Sequence, residues 1–419
     1  MIGKQFEIEG GNKLFGTIEN QTSKNAVLPI LSATFLLQGE TQLFKCPNIL
    51  DFHNMIKILK KLGAEVENNG RTYTINTQNA TNLGIDFSLS KTMRSSIFLL
   101  GSLLARFKQI MITTPGGCEI GKRPIDMHIK AFQNLGVKVE TIGDYIFFDA
   151  TRAHSGKVQL KFPSVGATEN VVQFASLLDG KTVIKNAARE PEVVDLCNFL
   201  KSCGAKIEGA GTRKITIYGV SNLKGCTYVP MADRIVAGTI MIATALTGGD
   251  VTILDACVKD NLKLIKILRS IGCQIEEKSD TIHIVRTANL KRMNRVSTGV
   301  HPKFPTDLQS LVLVLSCLCK GQTRICERIF ENRFLIVPDL KKMGANIVKE
   351  NNSRVSTFGV SSLLPTQVRA KDLRGGAGLV LAGLVAHGIT TVENVELIDR
   401  GYEQFEEMLN SIGAKIKRK

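Results

Sequence analysis

Tryptophan is absent from this chain of 419 residues, and tyrosine occurs only five times. Aromatic side chains are the usual stacking platforms for single-stranded nucleic acid, so few such platforms are available here. The basic residues exceed the acidic ones by 54 − 38 = 16, but the lysines are scattered along the chain. We therefore expect an anionic partner, and small phosphorylated molecules fit this charge as well as nucleic acid does.

The ten cysteines contain no CxxC pair and no zinc-ligand spacing, and the chain has no P-loop and no HExxH motif. We therefore expect neither a metal nor an organic cofactor. The first ten residues are half polar, which argues against a signal peptide. The apolar helices are interrupted by glycine, serine or charge before they reach the length of a bilayer. These features predict a cytoplasmic protein with reduced thiols and no membrane partner.

A short phrase centred on a glycine recurs six times, for example Leu62-Gly63-Ala64 and Ile412-Gly413-Ala414. The six glycines are 63, 136, 204, 272, 344 and 413, with spacings of 73, 68, 68, 72 and 69 residues. Such a constant period indicates an internal repeat. Each repeat has a very apolar helix, a strand, an amphipathic helix that ends at the repeated glycine, and two more strands. The apolar helices are predicted at 24–37, 93–107, 168–178, 234–246, 307–319 and 373–386.

A helix that is apolar nearly all round is expected to be buried. Three such helices would line the inside of a barrel-like domain, with the sheets and amphipathic helices outside. The sequence thus predicts an α/β protein of two inside-out α/β barrel domains, each built from three repeats. The sixth repeat lacks its last strand, and residues 1–22 hold strands that no repeat claims. We therefore predict one domain at 23–231 and a second at 1–22 plus 232–419.

The stretch Pro115–Asp126 contains three glycines and two prolines, which predicts a loop. It carries Cys118, followed by Lys122 and Arg123, and nearby cations stabilise a thiolate. The loop by itself is equally compatible with a surface segment that carries an incidental thiol. By its position in the sequence it belongs to the predicted domain at 23–231.

Polar residues cluster where the apolar helices begin, among them Lys24, Asn25 and Arg94. A helix N-terminus offers free N–H groups and partial positive charge, so three such ends facing one cleft would attract anions. The alternative is that Asp307 is only an N-cap, which its position after Thr306 favours, and that each arginine is a surface charge. His128 and His301 are more often structural than catalytic in such settings.

Many of these stretches together resemble the UDP-N-acetylglucosamine enolpyruvyl transferase family, within the EPSP synthase superfamily. The resemblance extends nearly from end to end. It rests on the motifs Ser23–Ala26, Lys91–Ser96, Pro115–Asp126, Ser164–Thr168, Ala188–Glu192, Phe304–Asp307, Phe330–Phe334, Asp372–Arg374 and Asp399–Glu403. The family's fold is the pair of inside-out barrels that the repeats predict.

The resemblance implies transfer of the enolpyruvyl group of phosphoenolpyruvate to the 3′-hydroxyl of UDP-N-acetylglucosamine, with release of phosphate. This is the first committed step of peptidoglycan synthesis, on which cell-wall formation, cell shape and cell division depend. The family works without a metal or other cofactor and is inhibited by fosfomycin. It implies a cytoplasmic enzyme, which we expect to be a monomer without nucleic-acid or membrane partners.

The resemblance also assigns roles to residues. Cys118 would donate the proton to C3 of phosphoenolpyruvate, and Asp307 would accept the proton of the sugar hydroxyl, with Lys24 and Arg400 completing the catalytic set. The residues implied in phosphoenolpyruvate binding are Lys24, Asn25, Cys118, Arg123, Arg374 and Arg400. Those implied in nucleotide-sugar binding are Arg94, Arg123, Pro124, Ile125, Asp126, Met127, Ser164, Val165, Gly166, Asp307 and Ile329.

Three positions depart from the family pattern. Asn48-Ile49-Leu50 stands where a basic residue is frequent, Phe162 replaces a common lysine, and Thr22-Ser23 replaces Gly-Ala. The missing lysines keep open a non-catalytic paralogue that binds nucleotide sugar. An enolpyruvyl transferase with a different acceptor and a basic nucleic-acid-binding repeat protein also stay open. The shikimate branch lacks a matching cysteine loop, so Cys118 argues against the shikimate acceptor.

Overall fold

The computed structural model describes residues 4–81, 97–113 and 125–419. Cys118, Arg94, Arg123 and Pro124 lie outside the described residues. The helices are α1 Lys24–Ala33, α2 Leu50–Lys61, α3 Leu99–Phe107, α4 Asp126–Gln133, α5 Val165–Ala175, α6 Pro191–Ser202, α7 Arg234–Thr247, α8 Val258–Ser270, α9 Gln309–Leu318, α10 Val337–Lys342, α11 Leu373–Val385 and α12 Phe405–Asn410.

The strands are short and mostly five residues long. They are β1 Gln5–Glu9, β2 Phe15–Glu19, β3 Leu37–Gln38, β4 Glu40–Leu43, β5 Glu65–Asn69, β6 Thr72–Asn76, β7 Gln109–Thr113, β8 Lys138–Ile142, β9 Tyr145–Asp149, β10 Lys157–Gln159, β11 Lys181–Lys185, β12 Lys206–Glu208, β13 Lys214–Tyr218, β14 Leu223–Lys224, β15 Thr227–Tyr228, β16 Asp250–Leu254, β17 Gln274–Lys278, β18 Thr281–Val285, β19 Val296–Ser297, β20 Gln322–Cys326, β21 Asn346–Asn351, β22 Arg354–Phe358, β23 Gln367–Arg369, β24 Ile389–Glu393 and β25 Ile416–Arg418.

The chain divides into two compact units. What we call the central unit holds the described residues between Thr22 and Met231, and the terminal unit holds residues 4–21 and 232–419. Each unit has its own hydrophobic core. The most deeply buried helices are α1, α3 and α5 in the central unit and α7, α9 and α11 in the terminal unit. The predicted apolar helices are therefore confirmed, although α1 ends at Ala33 and α5 at Ala175, before their predicted ends. Residues 93–96 of the second one lie outside the described residues.

The sheets repeat one topology. In the order β10-β11-β13-β12, the first pair is parallel and the next two pairs are antiparallel. The same pattern recurs in β2-β16-β18-β17 and in β19-β20-β22-β21. A repeated sequence thus folds into a repeated sheet, which confirms the α/β fold predicted from the period.

The N-terminal strand completes the sheet of the last repeat. β1 lies between β24 and β25, with Phe6 opposite both Val392 and Arg418. This confirms that residues at the start of the chain supply the strand that the sixth repeat lacks. β2 behaves differently from our expectation, because it pairs in parallel with β16 of the fourth repeat.

The repeated glycine ends the amphipathic helix in every repeat. All six glycines have positive φ, from 80° at Gly136 to 108° at Gly272. A side chain at these positions would be strained, which explains the residue type. One detail of the amphipathic pattern was wrong: Leu262 of α8 was expected on the buried face but is 44% exposed, whereas Leu264 is 1% exposed.

Candidate active site

Asp307 lies in a short 3₁₀ turn, Thr306–Leu308, directly before the buried helix α9. Its Oδ1 atom accepts a hydrogen bond from Nη2 of Arg333 at 2.7 Å. The same guanidinium donates to the carbonyl oxygen of Thr306 at 3.3 and 3.4 Å. Arg333 has a side chain that is only 3% exposed, while that of Asp307 is 28% exposed. The carboxylate is therefore paired with a buried cation while its side chain stays partly exposed to solvent.

Arg374 approaches the other oxygen of this carboxylate. Its Nη2 atom lies 4.0 Å from Oδ2 of Asp307. Arg374 follows the N-cap of α11, where the Asp372 carboxylate accepts hydrogen bonds from the backbone N–H groups of Arg374 and Gly375. Its guanidinium also lies over the ring of Tyr402, 5.3 Å from the ring centre. The start of α11 thus places the buried guanidinium of Arg374 beside the Asp307 carboxylate.

Arg374 keeps its charge although its side chain is only 4% exposed. Burial works against the charged form, but Tyr402, Asp307 and Asp233 together raise the pKa of Arg374 above its ordinary value. Burial raises the pKa of Tyr402, whose hydroxyl forms a 2.9 Å hydrogen bond with Thr239. Nη1 of Arg374 is buried and has no hydrogen-bond partner among the described residues. A buried guanidinium donor without a partner suits an incoming carboxylate or phosphate oxygen.

Glu327, just after β20, joins Ile329 to the turn that carries Asp307. One carboxylate oxygen accepts hydrogen bonds from the backbone N–H of Ile329 at 2.7 Å and of Phe330 at 3.2 Å. The other accepts the Thr306 hydroxyl at 2.9 Å. The structure therefore brings Ile329 and Asp307, two predicted sugar-contact residues, into one hydrogen-bonded group.

Arg400 lies in the turn that follows the 3₁₀ segment Val395–Leu397 and is half-buried. The neighbouring Asp399 forms a two-pronged ion pair with Arg418, with N–O distances of 2.7 and 2.9 Å. This pair fixes the backbone on the N-terminal side of Arg400. On the C-terminal side, the side-chain amide of Gln21 donates to the carbonyl oxygen of Gly401 at 3.1 Å.

In the central unit, Lys24 is the first residue of α1. Its Nζ atom lies 2.6 Å from Oδ2 of Asp51, in the first turn of α2, and both side chains are largely buried at 12% and 4% exposure. Asn25 follows Lys24 at the same helix start. The ion pair therefore orients a cation at a helix N-terminus, where an anion is also favoured by the helix dipole.

The predicted nucleotide-sugar segments of the central unit lie side by side. Ile125 is the N-cap of α4 and Asp126 its first residue, while Ser164 caps α5 through the backbone N–H of Ala167. Nδ1 of His128 on α4 lies 3.3 Å from the Asn170 amide on α5. That amide also donates to the carbonyl oxygen of Gly166 at 3.0 Å. Burial lowers the pKa of His128 to about 4, so this contact involves a neutral imidazole at pH 7.

Four residues that orient the predicted site residues were not identified from the sequence. Arg333, Glu327, Asp51 and Asn170 were given no role, although Arg333 belongs to a motif that was singled out. Each of them also has a partner 21 to 69 residues away in sequence, in the Glu327–Thr306, Arg333–Asp307, Lys24–Asp51 and Asn170–Gly101 contacts. A signal did exist in Arg333, because an arginine directly before the apolar run Phe334–Val337 suggests a buried, paired charge.

Within the described residues, no group of three His, Cys, Asp or Glu side chains is arranged to hold a metal ion. In the same ranges, no helix combines the length and apolarity needed to cross a bilayer.

Comparisons with known proteins agree with this architecture. The family model described as EPSP synthase (3-phosphoshikimate 1-carboxyvinyltransferase) matches residues 8–409. A protein of Caldanaerobacter subterraneus subsp. tengcongensis named UDP-N-acetylglucosamine 1-carboxyvinyltransferase 2 is 44% identical over 418 residues, covering 100% of both chains. A protein of Halothermothrix orenii named UDP-N-acetylglucosamine 1-carboxyvinyltransferase is likewise 44% identical over 418 residues, with 100% of both chains covered.

Solved structures show the same fold. The enolpyruvyl transferase NikO from Streptomyces tendae superposes with a TM-score of 0.90 at 23% identity, covering 99% of both chains. EPSP synthase from Acinetobacter baumannii superposes with a TM-score of 0.74 at 18% identity, again with 99% of both chains covered. The chain therefore belongs to the EPSP synthase family and, within it, to the UDP-N-acetylglucosamine 1-carboxyvinyltransferases.

Proposed function

We propose that the protein transfers the enolpyruvyl group of phosphoenolpyruvate to the 3′-hydroxyl of UDP-N-acetylglucosamine and releases phosphate. The main support for the proposal is the geometry at the Asp307 carboxylate. Its oxygens lie 2.7 Å from a guanidinium nitrogen of Arg333 and 4.0 Å from one of Arg374. A partly exposed base beside a buried cation suits a reaction in which a hydroxyl loses its proton next to an anionic substrate. The family and its full-length relatives support the same chemistry.

The proposed reaction has two stages. The sugar oxygen adds to C2 of phosphoenolpyruvate while Asp307 accepts the hydroxyl proton and Cys118 protonates C3. The tetrahedral adduct then expels phosphate and loses a proton from C3, which restores the double bond and leaves an enolpyruvyl ether. Arg333 keeps Asp307 oriented throughout, because its side chain is buried behind the carboxylate and does not face solvent.

The residues proposed to hold the carboxylate and phosphate of phosphoenolpyruvate are Lys24, Asn25, Arg123, Arg374 and Arg400. Asp51 holds the Lys24 ammonium in place at 2.6 Å, so this group is oriented before the substrate arrives.

Nucleotide-sugar binding is assigned to the adjoining segments of α4 and α5. Ile125, Asp126 and Met127 come from the start of α4, and Ser164, Val165 and Gly166 come from the start of α5. Ile329 and Asp307 are proposed to contact the sugar ring, and Arg94, Arg123 and Pro124 to complete the site. Backbone N–H groups at the start of α5 suit a diphosphate or a sugar hydroxyl.

The test is phosphate release from phosphoenolpyruvate with UDP-N-acetylglucosamine, together with the mass of the nucleotide product. We expect stoichiometric phosphate and a product heavier by one enolpyruvyl group. Shikimate 3-phosphate in place of the nucleotide sugar is the control for another acceptor. Tight binding of the nucleotide sugar without phosphate release would support the non-catalytic paralogue and contradict the proposal.

Fosfomycin offers an independent test of Cys118. We expect covalent modification at this residue, located by peptide mass spectrometry, with loss of phosphate release in parallel. Modification is expected to be absent in Cys118→Ser and preserved in Cys257→Ser, which changes a cysteine outside the proposed site.

We also propose that the protein is a monomer in the cytoplasm. Light scattering of the purified protein would test the first point and cell fractionation the second.

A further inference from the structure

Two cysteines far from the proposed catalytic thiol in sequence lie next to each other in the central unit. Cys203 is the C-cap of α6, and Cys226 directly precedes β15. Their Sγ atoms are 3.2 Å apart, and both thiols are reduced. The two sulfurs are thus already in contact without a bond between them. The sulfurs of a disulfide are about 2 Å apart, so these two need to approach by only about 1 Å to become bonded.

The backbone around the pair is held on both sides. The N–H of Lys224 donates to the carbonyl oxygen of Cys203 at 3.0 Å. Beyond Cys226, the hydroxyl of Tyr228 donates to Oδ1 of Asp195 on α6 at 2.7 Å, and the N–H of Met231 donates to Oδ2 of the same carboxylate at 3.1 Å. The segment 223–231 is therefore fastened to α6 before and after Cys226. These bonds keep the two thiols together.

The two thiols differ in access and in acidity. Cys203 is 3% exposed, whereas Cys226 is half-buried. Contact with the Cys203 thiol lowers the pKa of Cys226, and the same contact together with burial raises the pKa of Cys203. The more accessible sulfur is thus also the one that ionises more readily, and the buried one is placed to attack it afterwards.

The other buried cysteines provide a contrast. Burial raises the pKa of the Cys46, Cys197 and Cys317 thiols to about 12. These thiols stay protonated at neutral pH and are shielded from oxidants. Among the described residues, only Cys226 and Cys257 are half-buried cysteines.

We propose that Cys203 and Cys226 form a redox-active pair that hydrogen peroxide converts to an intramolecular disulfide. The Cys226 thiolate attacks one peroxide oxygen, the O–O bond breaks, and the hydroxide that leaves takes up the thiol proton as water. The Cys203 sulfur then attacks the Cys226 sulfenic acid, an S–S bond forms, and the S–O bond breaks with release of a second water. Two thiols are oxidised and one peroxide is reduced. A small dithiol reverses the reaction by exchange.

The bond would fasten the last segment of the central unit to α6 and close a loop between residues 203 and 226. Closing such a loop restricts the unfolded chain, so we expect the midpoint temperature of unfolding to rise by about 5–10 °C. This device does not depend on the proposed function, because none of its residues belongs to the proposed site.

The experiment treats the full-length protein with hydrogen peroxide, blocks the remaining thiols with N-ethylmaleimide after unfolding, and maps the peptides by mass spectrometry. We expect a linked Cys203–Cys226 peptide, the loss of N-ethylmaleimide from both positions, and full recovery of both thiols after dithiothreitol. The same link is expected in Cys257→Ser, which removes the other half-buried cysteine. Cys226→Ser and Cys203→Ala are expected to lose the link and to unfold at the same temperature with and without peroxide.

Peptide mapping separates this pair from oxidation elsewhere, including at Cys118. The proposal is overturned if both thiols remain open to N-ethylmaleimide after peroxide treatment. It is also overturned if Cys226 proceeds to sulfinic acid or bonds to a cysteine other than Cys203.

Discussion

Arg333 orients the carboxylate of Asp307, the proposed base. It touches both the Asp307 carboxylate and the carbonyl oxygen of Thr306, and it lies over the Phe330 ring at 5.5 Å. A fork-shaped guanidinium serves these acceptors together, which a lysine cannot do. We classify Arg333 as a positioning residue, because it acts through Asp307.

We predict that Arg333→Ala lowers kcat for phosphate release by about 100-fold, because a positioned base is lost and buried polar groups remain unpaired. Arg333→Lys keeps the charge without the fork and is expected to recover part of kcat, with KM for UDP-N-acetylglucosamine changing less than kcat. Arg328→Ala, which removes another arginine of the same loop, is the control. An unchanged kcat in Arg333→Ala would contradict the positioning role.

Glu169 on α5 is fully buried, and neither of its carboxylate oxygens has a hydrogen-bond partner among the described residues. Burial, with the nearby charges of Glu192 and Glu190, raises the pKa of Glu169 well above its ordinary value. A carboxyl with a raised pKa in the folded state takes up a proton on folding. Its contribution to stability is therefore fully present below the pKa of the unfolded chain and is lost as pH rises through the folded pKa.

We predict that Glu169→Gln removes this pH dependence. Relative to the wild type, the variant is expected to gain free energy of unfolding as pH rises from the acid range, because glutamine has no proton to lose. Urea unfolding at a series of pH values measures the difference, and Glu208→Gln at an exposed position is the control. A difference between Glu169→Gln and wild type that stays constant with pH would argue against a protonated carboxyl.

At the scale of elements, the buried helices of the central unit meet through small and polar side chains. The hydroxyl of Ser32 on α1 contacts that of Ser102 on α3 at 3.0 Å and the side chain of Gln173 on α5 at 2.8 Å. Gly101 on α3 lies so close to α5 that an added Cβ would stand 2.2 Å from the carbonyl oxygen of Asn170. The backbone N–H of Gly101 donates to the Asn170 side chain at 2.5 Å. A side chain at position 101 would therefore push two helices apart.

We predict that Gly101→Ala lowers the free energy of unfolding by about 3 kcal/mol or more, because backbone rather than a flexible side chain blocks the new methyl group. Gly378→Ala on α11 is the matched control in the other unit. There an added Cβ would meet the terminal methyl of Ile336 at 2.8 Å, and that methyl can turn away. We expect a loss below about 1.5 kcal/mol for Gly378→Ala. Equal losses in the two variants, measured by urea unfolding, would refute the backbone clash.

At the scale of the whole molecule, the chain begins and ends in the same sheet. Phe6 and Ile8 of β1 are completely buried, and β1 lies between β24 and β25. Contacts between such distant parts of the chain cost much loop-closure entropy, so they form only with the support of the surrounding core. The terminal unit therefore depends on its first strand.

We predict that Phe6→Ala lowers the free energy of unfolding of the terminal unit by about 3–4 kcal/mol. Phe15→Ala, at a residue that is 55% exposed, is expected to have little effect.

We propose that 23–231 and 1–22 plus 232–419 are domains that unfold separately. Phe6→Ala should then lower the midpoint temperature of one calorimetric transition, and Gly101→Ala that of the other. A single transition that both variants lower equally would contradict separate unfolding.

Much of the architecture follows from local spacing along the chain. The period of about 70 residues, the apolar helices and the glycine that ends each amphipathic helix are all readable because they depend on neighbours in sequence. Leu262 and Leu264 show the limit of this approach, because both fit the apolar pattern of α8 and only one is buried. The difference depends on what packs against the helix.

The sequence by itself determined the repeats, the class of fold and, through its motifs, the family. Only the tertiary structure decided that Arg333 holds Asp307, that Asp51 pairs with Lys24, that β1 enters between β24 and β25, and that Cys203 meets Cys226. The reason is physical. Periodicity reflects which face of an element is buried, whereas a specific pair of side chains depends on how separate elements pack, and no spacing along the chain encodes that distance.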